Sequence, residues 1–181
     1  AYCRQYLPEC KMITDQNVYT YNDRAQQFFA EAGVWVNTVP IELNRGEIMH
    51  RDNQRSEMIV YGYYPLMTSA QCVHKNTKAC DKCPTITYLK DRYQAQFPVK
   101  NYCSACYNVV YNSLPVMLFS NIRELQKAGL RTFRLDFTME SEKMTGNVMN
   151  LLEEFLYEDR RQYPEQWKEH YTNGHYKRGV E

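Results

Sequence analysis

The chain of 181 residues has no apolar run long enough to cross a bilayer and no charged-then-apolar leader of the secretory kind. Those two absences predict a soluble, cytoplasmic protein without a membrane partner. No internal repeat and no low-complexity stretch occurs, which sets aside solenoids and compositionally biased tails. Charge of one sign is missing as well. Lys and Arg number 22 against 21 Asp and Glu, a net charge of +1, so the chain as a whole is not drawn to nucleic acid or a membrane surface. Histidine is scarce: His50, His74, His170 and His175 are the four, and none sits in a recognised catalytic motif. The His-Glu-x-x-His helix of zinc proteases is absent. A nucleophile beside a base held by a third group cannot be picked out either.

Cysteine is the exception to this sparseness. Five of the seven cysteines fall between Cys72 and Cys106. Cys80-Asp-Lys-Cys83 and Cys103-Ser-Ala-Cys106 are CxxC pairs nineteen residues apart, and Cys72 lies eight positions before the first. A CxxC places two thiolates on one tight turn, and two such turns brought together supply a tetrahedral set of sulfurs. The spacing predicts a metal centre drawn from Cys72, Cys80, Cys83, Cys103 and Cys106. It favours zinc in a ribbon, and an iron–sulfur cluster competes because it also takes four thiolates at irregular spacing. A disulfide framework is the remaining alternative, but it suits chains too small to bury a core. Around these cysteines Lys75, Lys78, Lys82, Lys90, Arg92 and Lys100 face only Asp81 and Asp91, a basic segment suited to an anionic partner or simply to water.

Along the chain the pattern predicts alternating strands and helices. Asn17–Tyr21 reads as a strand, Ala25–Ala32 as a helix closed by Gly33, and Val34–Val39 as the next strand. Asn44–Arg55 reads as a surface helix and Ser56–Tyr61 as a strand stopped by Gly62. This is βαβ order and implies a parallel sheet. The rhythm breaks for a hairpin, Thr85–Leu89 with Gln96–Val99, turning at Asp91-Arg92-Tyr93-Gln94 between the CxxC pairs. It resumes with a strand at Val116–Phe119, a helix at Asn121–Ala128 closed by Gly129, and a strand at Thr132–Phe137. A long amphipathic helix follows over Glu140–Asp159, with Met144, Val148, Leu151, Leu152 and Phe155 as core.

Several segments taken together resemble the collagenase-like peptidase family U-32. They are Val18–Asn22, Glu42-Leu43-Asn44, Tyr61–Met67, Leu89–Tyr93, Phe97-Pro98-Val99, Tyr107-Asn108 and Tyr111-Asn112-Ser113. The chain closes on Asn173-Gly174-His175-Tyr176-Lys177-Arg178-Gly179-Val180-Glu181, similar to the family's Gly-His-x-x-Arg-Gly-Val-Glu ending. The resemblance implies a (β/α) barrel, and a barrel of eight units needs about 250 residues. The expected fold is therefore α/β: the C-terminal half of a (β/α) barrel with a cysteine-rich β-hairpin insert. Residues 1–71 and 107–181 would carry the βα units and 72–106 the insert, with the missing N-terminal half of the same chain as a partner.

The family name implies proteolysis, whereas better-understood relatives resemble iron–sulfur-dependent hydroxylases of RNA pyrimidines, with others linked to hydroxylation of quinones, so the implied substrate is RNA or a small aromatic. On that resemblance Cys72, Cys103 and Cys106 are the best-matched cluster ligands, Cys80 the fourth and Cys83 the spare. Some relatives carry a cysteine just before the position of Pro65, and this chain does not. In the terminal signature His175 is read as an acid–base group, Glu181 as the carboxylate that orients it, and Arg178 as a partner for phosphate or carboxylate. The bland reading is a tail packed across the barrel mouth with Arg178 and Glu181 in an ion pair. Asp136, at the C-terminal end of its strand, is a site candidate or a turn cap. The expected activity is that of an iron–sulfur enzyme acting on RNA, with a true peptidase or a zinc-ribbon binding module as alternatives.

Overall fold

A computed structural model describes residues 2–72, 75, 76, 82 and 85–180. After a short helix α1 (Tyr2–Tyr6), the chain lays down β1 (Met12–Thr14), α2 (Asp23–Glu31), β2 (Val34–Thr38), α3 (Arg45–His50) and β3 (Ser56–Gly62). Strands β4 (Pro65–Ser69), β5 (Ile86–Lys90), β6 (Gln96–Tyr102) and β7 (Tyr107–Tyr111) follow. The last part is β8 (Val116–Met117), α4 (Ile122–Lys127), β9 (Thr132–Asp136) and α5 (Glu142–Tyr157).

Two sheets result. In the first, β1, β2, β3 and β9 lie side by side, parallel and in chain order, and β8 adds antiparallel at Tyr61 and Gly62. The second is antiparallel, in the order β4-β7-β6-β5. The fold is thus mixed α/β, and the described strands do not close into a barrel.

Alternation explains the first sheet. Met58 and Val60 on β3, with Phe133 and Leu135 on β9, point into a core formed with Ile48, Ile122, Leu125, Val148, Leu151 and Phe155 from α3, α4 and α5. Ile48, Val60, Leu125 and Val148 are wholly buried. Truncating one such leucine costs about 2–5 kcal/mol. The helices begin where capping residues stand. Asn44 and Glu47 form a reciprocal capping box at α3, Asn22 caps α2, and Ser141 caps α5 by accepting from the Met144 amide.

Three expectations need correction. Asn17–Tyr21 is not a strand. Met12–Thr14 already occupies the edge of β2, Val18 N donates to Asp15 O in a turn, and Thr20 is anchored through its hydroxyl to Asn37 Oδ1 at 3.1 Å. The helix expected to reach Arg55 stops at His50. Buried Asn53 ends it, donating from Nδ2 to the carbonyls of Ile48, Arg51 and Ala128 and so tying α3 to the end of α4. Val116–Phe119 does not continue the parallel order: only Val116 and Met117 are strand, antiparallel to β3, and Phe119 opens a single 3-10 turn.

The chain leaves the first sheet through Gly62-Tyr63-Tyr64 and returns through Asn112–Pro115. Exit and return lie together, since Asn112 N donates to Tyr64 O at 2.9 Å. Gly62 is required here. Its φ is +155°, and a Cβ would sit 2.9 Å from both the Cβ and the carbonyl oxygen of Asp136.

Candidate functional site

The second sheet brings Cys72 and the Cys103–Cys106 turn to one end by topology. β6 and β7 pair up to Tyr102 opposite Tyr107, so Cys103-Ser-Ala-Cys106 is the four-residue turn between them. Ala105 N donates to Tyr102 O, and Cys106 takes the left-handed φ of 54° that closes the turn. Cys72 follows the last residues of β4, and Asn108 Nδ2 donates to Gln71 O at 3.0 Å beside it. Thr85 O accepts from Asn101 N, which brings the start of β5 to the same end of the sheet. Cys72, the Cys103–Cys106 turn and the point where the chain re-enters after Cys83 are therefore neighbours along one sheet end. Cys80, Cys83 and Lys78 lie outside the described residues. Among the described residues no three His, Cys, Asp or Glu side chains form a metal-sized group. Cys72 and Cys103 are half-buried and Cys106 is exposed. Thiolate is the donor type that either zinc or an iron–sulfur cluster takes, but the three described cysteines do not by themselves stand together as a ligand set. Of the basic residues, Lys75, Lys82, Lys90 and Arg92 are exposed, and Lys100 is half-buried.

Lys100 ties this sheet to the other. Its Nζ donates to Thr138 O at 2.8 Å, just beyond the C-terminal end of β9. Between the sheets two cavities flank Tyr63. One, of about 370 Å³, is lined by Gln16, Tyr63, Tyr111, Asp136 and Thr138. The other, of about 330 Å³, is lined by Tyr63, Tyr88, Pro98 and Glu140. Glu140 Oε2 accepts from the amides of Thr138 and Met139 at 2.7 and 2.9 Å, and its carboxylate also faces the Tyr61 phenol. Burial, followed by the nearby Glu140 carboxylate, raises the Tyr61 phenol well above its ordinary value. From the cysteine turn a strip of phenols runs toward this cleft. Tyr107 and Tyr102 stack at 4.8 Å, and the Tyr102 and Tyr111 hydroxyls meet at 3.0 Å.

Asp136 is held by an arginine. Arg134 pairs with it at 2.8 Å, and also reaches Asp15 at 2.7 Å, Gln16 at 2.8 Å and Glu57 at 2.9 Å. Burial alone would lower the Arg134 pKa, but hydrogen bonds to Asp15 and Asp136 outweigh it and raise the value. One guanidinium thus fixes three carboxylates on the sheet face opposite the helices.

The terminal segment packs elsewhere on the rim. Met117 N donates to Thr172 O, Arg45 N to Tyr176 O, and the Tyr176 hydroxyl to Glu124 Oε2 at 2.9 Å. His175 is half-buried and its Nδ1 meets Gly179 O at 3.0 Å, so one ring nitrogen serves the turn. Exposed Arg178 lines a cavity of about 290 Å³ with Tyr21, Glu42, Asn44 and Glu47. Glu181 lies outside the described residues. Tyr64 links the tail to the cleft: Gly174 packs on its ring, and burial, then the Asp136 and Glu42 charges, raise its phenol.

The structure therefore brings Cys72, Cys103 and Cys106 to one sheet end and Asp136 to the cleft, with His175 and Arg178 on the tail. Sequence reasoning missed Arg134, Tyr63, Tyr111 and Glu140. A signal for Arg134 existed: it alternates with Phe133, Leu135 and Phe137, so it shares a polar strand face with Asp136. Glu140 stood one residue before the Ser141 cap. No protein family, curated protein or solved structure matches the chain.

Proposed function

We propose that the chain is part of an iron–sulfur enzyme of the kind the U-32 resemblance implies, a hydroxylase-like protein acting on RNA. The observation that carries the reading is the convergence of Cys72, the Cys103–Cys106 turn and the re-entry of the segment bearing Cys80 and Cys83 on one sheet end. Those thiolates would hold the cluster, which when bound supplies redox chemistry that side chains lack.

The protein's own residues take the other tasks. Lys90, Arg92 and Lys100 give the second sheet a cationic edge for an anionic substrate, and Arg92 stacks on Tyr93 at 4.7 Å. Lys100 precedes Cys103 by three residues, which sets the cysteine turn about 10 Å along the strand from the cleft. A polymer spans that distance more readily than a small aromatic. Asp136, oriented by Arg134, and Glu140 are the carboxylates placed to accept hydrogen bonds from a base edge in the cleft. The open edges of β1 and β9 are where an N-terminal half of the same protein would add strands to complete a barrel. His175 and Arg178 serve as tail residues at the rim, with Glu181 as the carboxylate the signature pairs with them.

A zinc ribbon is the second reading, favoured by the CxxC spacing. Anaerobic purification separates the two: iron and sulfide with absorption near 400 nm support the cluster, and stoichiometric zinc with a colourless protein overturns it. For the activity, Cys103→Ala in the full-length protein should abolish one RNA nucleoside modification measured by mass spectrometry. An unchanged nucleoside profile, together with peptide cleavage that survives metal removal, would establish a peptidase instead.

A further inference from the structure

A further cavity lies away from both sheets' cleft, among the outer helices. It measures about 560 Å³ and is walled by Arg45 and Met49 of α3, by Arg123, Glu124 and Lys127 of α4, and by Arg160 and Arg161 beyond α5. Phe119 and Phe155 form its floor. Five cations thus line one hollow with a single carboxylate, Glu124, in its wall, while Asp159 and Glu154 pair with three of them from outside the lining. The Glu124 carboxylate is already neutralised. Glu124 Oε1 accepts from Arg45 Nε at 2.6 Å and Oε2 from the Tyr176 hydroxyl at 2.9 Å, and the Arg45 hydrogen bond foremost lowers its pKa.

The guanidiniums are positioned rather than consumed. Asp159 pairs with both Arg123 and Arg161, and Glu154 pairs with Arg160, so each fork is steadied while N–H groups remain. Lys127 has no carboxylate partner among the described residues and is exposed. Cations converging from three elements suit an anion with several oxygens, and arginine forks match phosphate in particular. The apolar floor and the volume leave room for an attached organic body.

We propose that this hollow is a binding site for a small phosphorylated ligand of nucleotide size carrying at least two negative charges. It is independent of the cysteine centre and of the RNA reading. The test is calorimetric titration of the full chain with ADP, with pyrophosphate and with a short single-stranded RNA. Saturable ADP binding that weakens about tenfold or more in Arg123→Gln/Lys127→Gln is the expected result. Lys127→Gln alone, which breaks no ion pair, should weaken it in the same direction and guards against a folding defect. Lys90→Gln/Arg92→Gln, on the second sheet, should leave ADP binding unchanged. No saturable ADP binding at about 1 mM, or equal affinity in wild type and Arg123→Gln/Lys127→Gln, overturns the proposal. RNA captured more tightly than ADP through the same residues would also overturn it, assigning the hollow to a nucleic-acid backbone.

Discussion

The two sheets differ in what holds them. Every residue of β3 is buried, with helices on one face and the Arg134 network on the other. In the antiparallel sheet, β4 and β5 are mostly exposed, and Leu66, Met67, Tyr88 and Leu89 each leave at least two-fifths of their surface in water. Val99, Val109, Val110 and Tyr111 are buried there, on the two central strands. The first sheet stands on apolar burial. The second buries its two central strands while its outer pair lies mostly in water, so its order should depend more on what rests on its faces.

That contrast can be broken from either side. The largest effect is expected in the first sheet: Leu125→Ala should lower global stability by about 2–5 kcal/mol, read by denaturant unfolding. An effect below about 1 kcal/mol would mean that the helical core is not what holds the fold. Arg134→Met should cost about 3–5 kcal/mol, because it strands the buried Glu57 carboxylate beside Asp15 and Asp136. Arg134→Met/Glu57→Leu should recover part of that loss, and no recovery would argue against the pairing.

Metal removal sharpens the comparison. A chelator added to metal-loaded protein should raise amide exchange in β4–β7 while leaving β2, β3 and β9 protected. Uniform exchange across both sheets would show that they are not separately held.

The smallest effect concerns alkali. Burial raises the phenols of Tyr61, Tyr64, Tyr111 and Tyr176, so the folded state holds protons that the unfolded chain releases near its ordinary pKa of about 10. Stability should be intact below about pH 10 and fall above it. Phenolate absorbance should then rise in two stages, exposed tyrosines first and these four only with unfolding. A single stage would refute their protection.

Alternation and capping made much of this fold readable. Ser56–Gly62, Thr132–Asp136, the α5 stripe and the hairpin around Asp91–Gln94 follow from local pattern, and the structure places elements there within a few residues, although Met144, expected in the core, is exposed in the first turn of α5. What stayed illegible was set by partners distant in sequence. Asn53 ends α3 by reaching Ala128, and Met12–Thr14 displaces Asn17–Tyr21 because β2 offers one edge. Strand β4 was hidden because it is exposed along its length and β7 because it is buried along nearly all of it, so neither shows the half-buried alternation that betrays a strand. At the site, the cysteines were visible as spacing. Arg134 and Glu140 were not, since a guanidinium shared by three carboxylates exists only once β1, β3 and β9 are side by side.

The hydrogen bond from Asn112 to Tyr64 has a further meaning for how such a molecule is put together. Because departure and return are adjacent, strands β4 to β7 leave and rejoin the parallel sheet at one place, the turn after β3. A short linker joining Tyr64 to Asn112 would restore an unbroken chain around the parallel sheet. A chain so shortened should keep the core of the parallel sheet, and loss of cooperative unfolding in it would show that the two sheets fold as one.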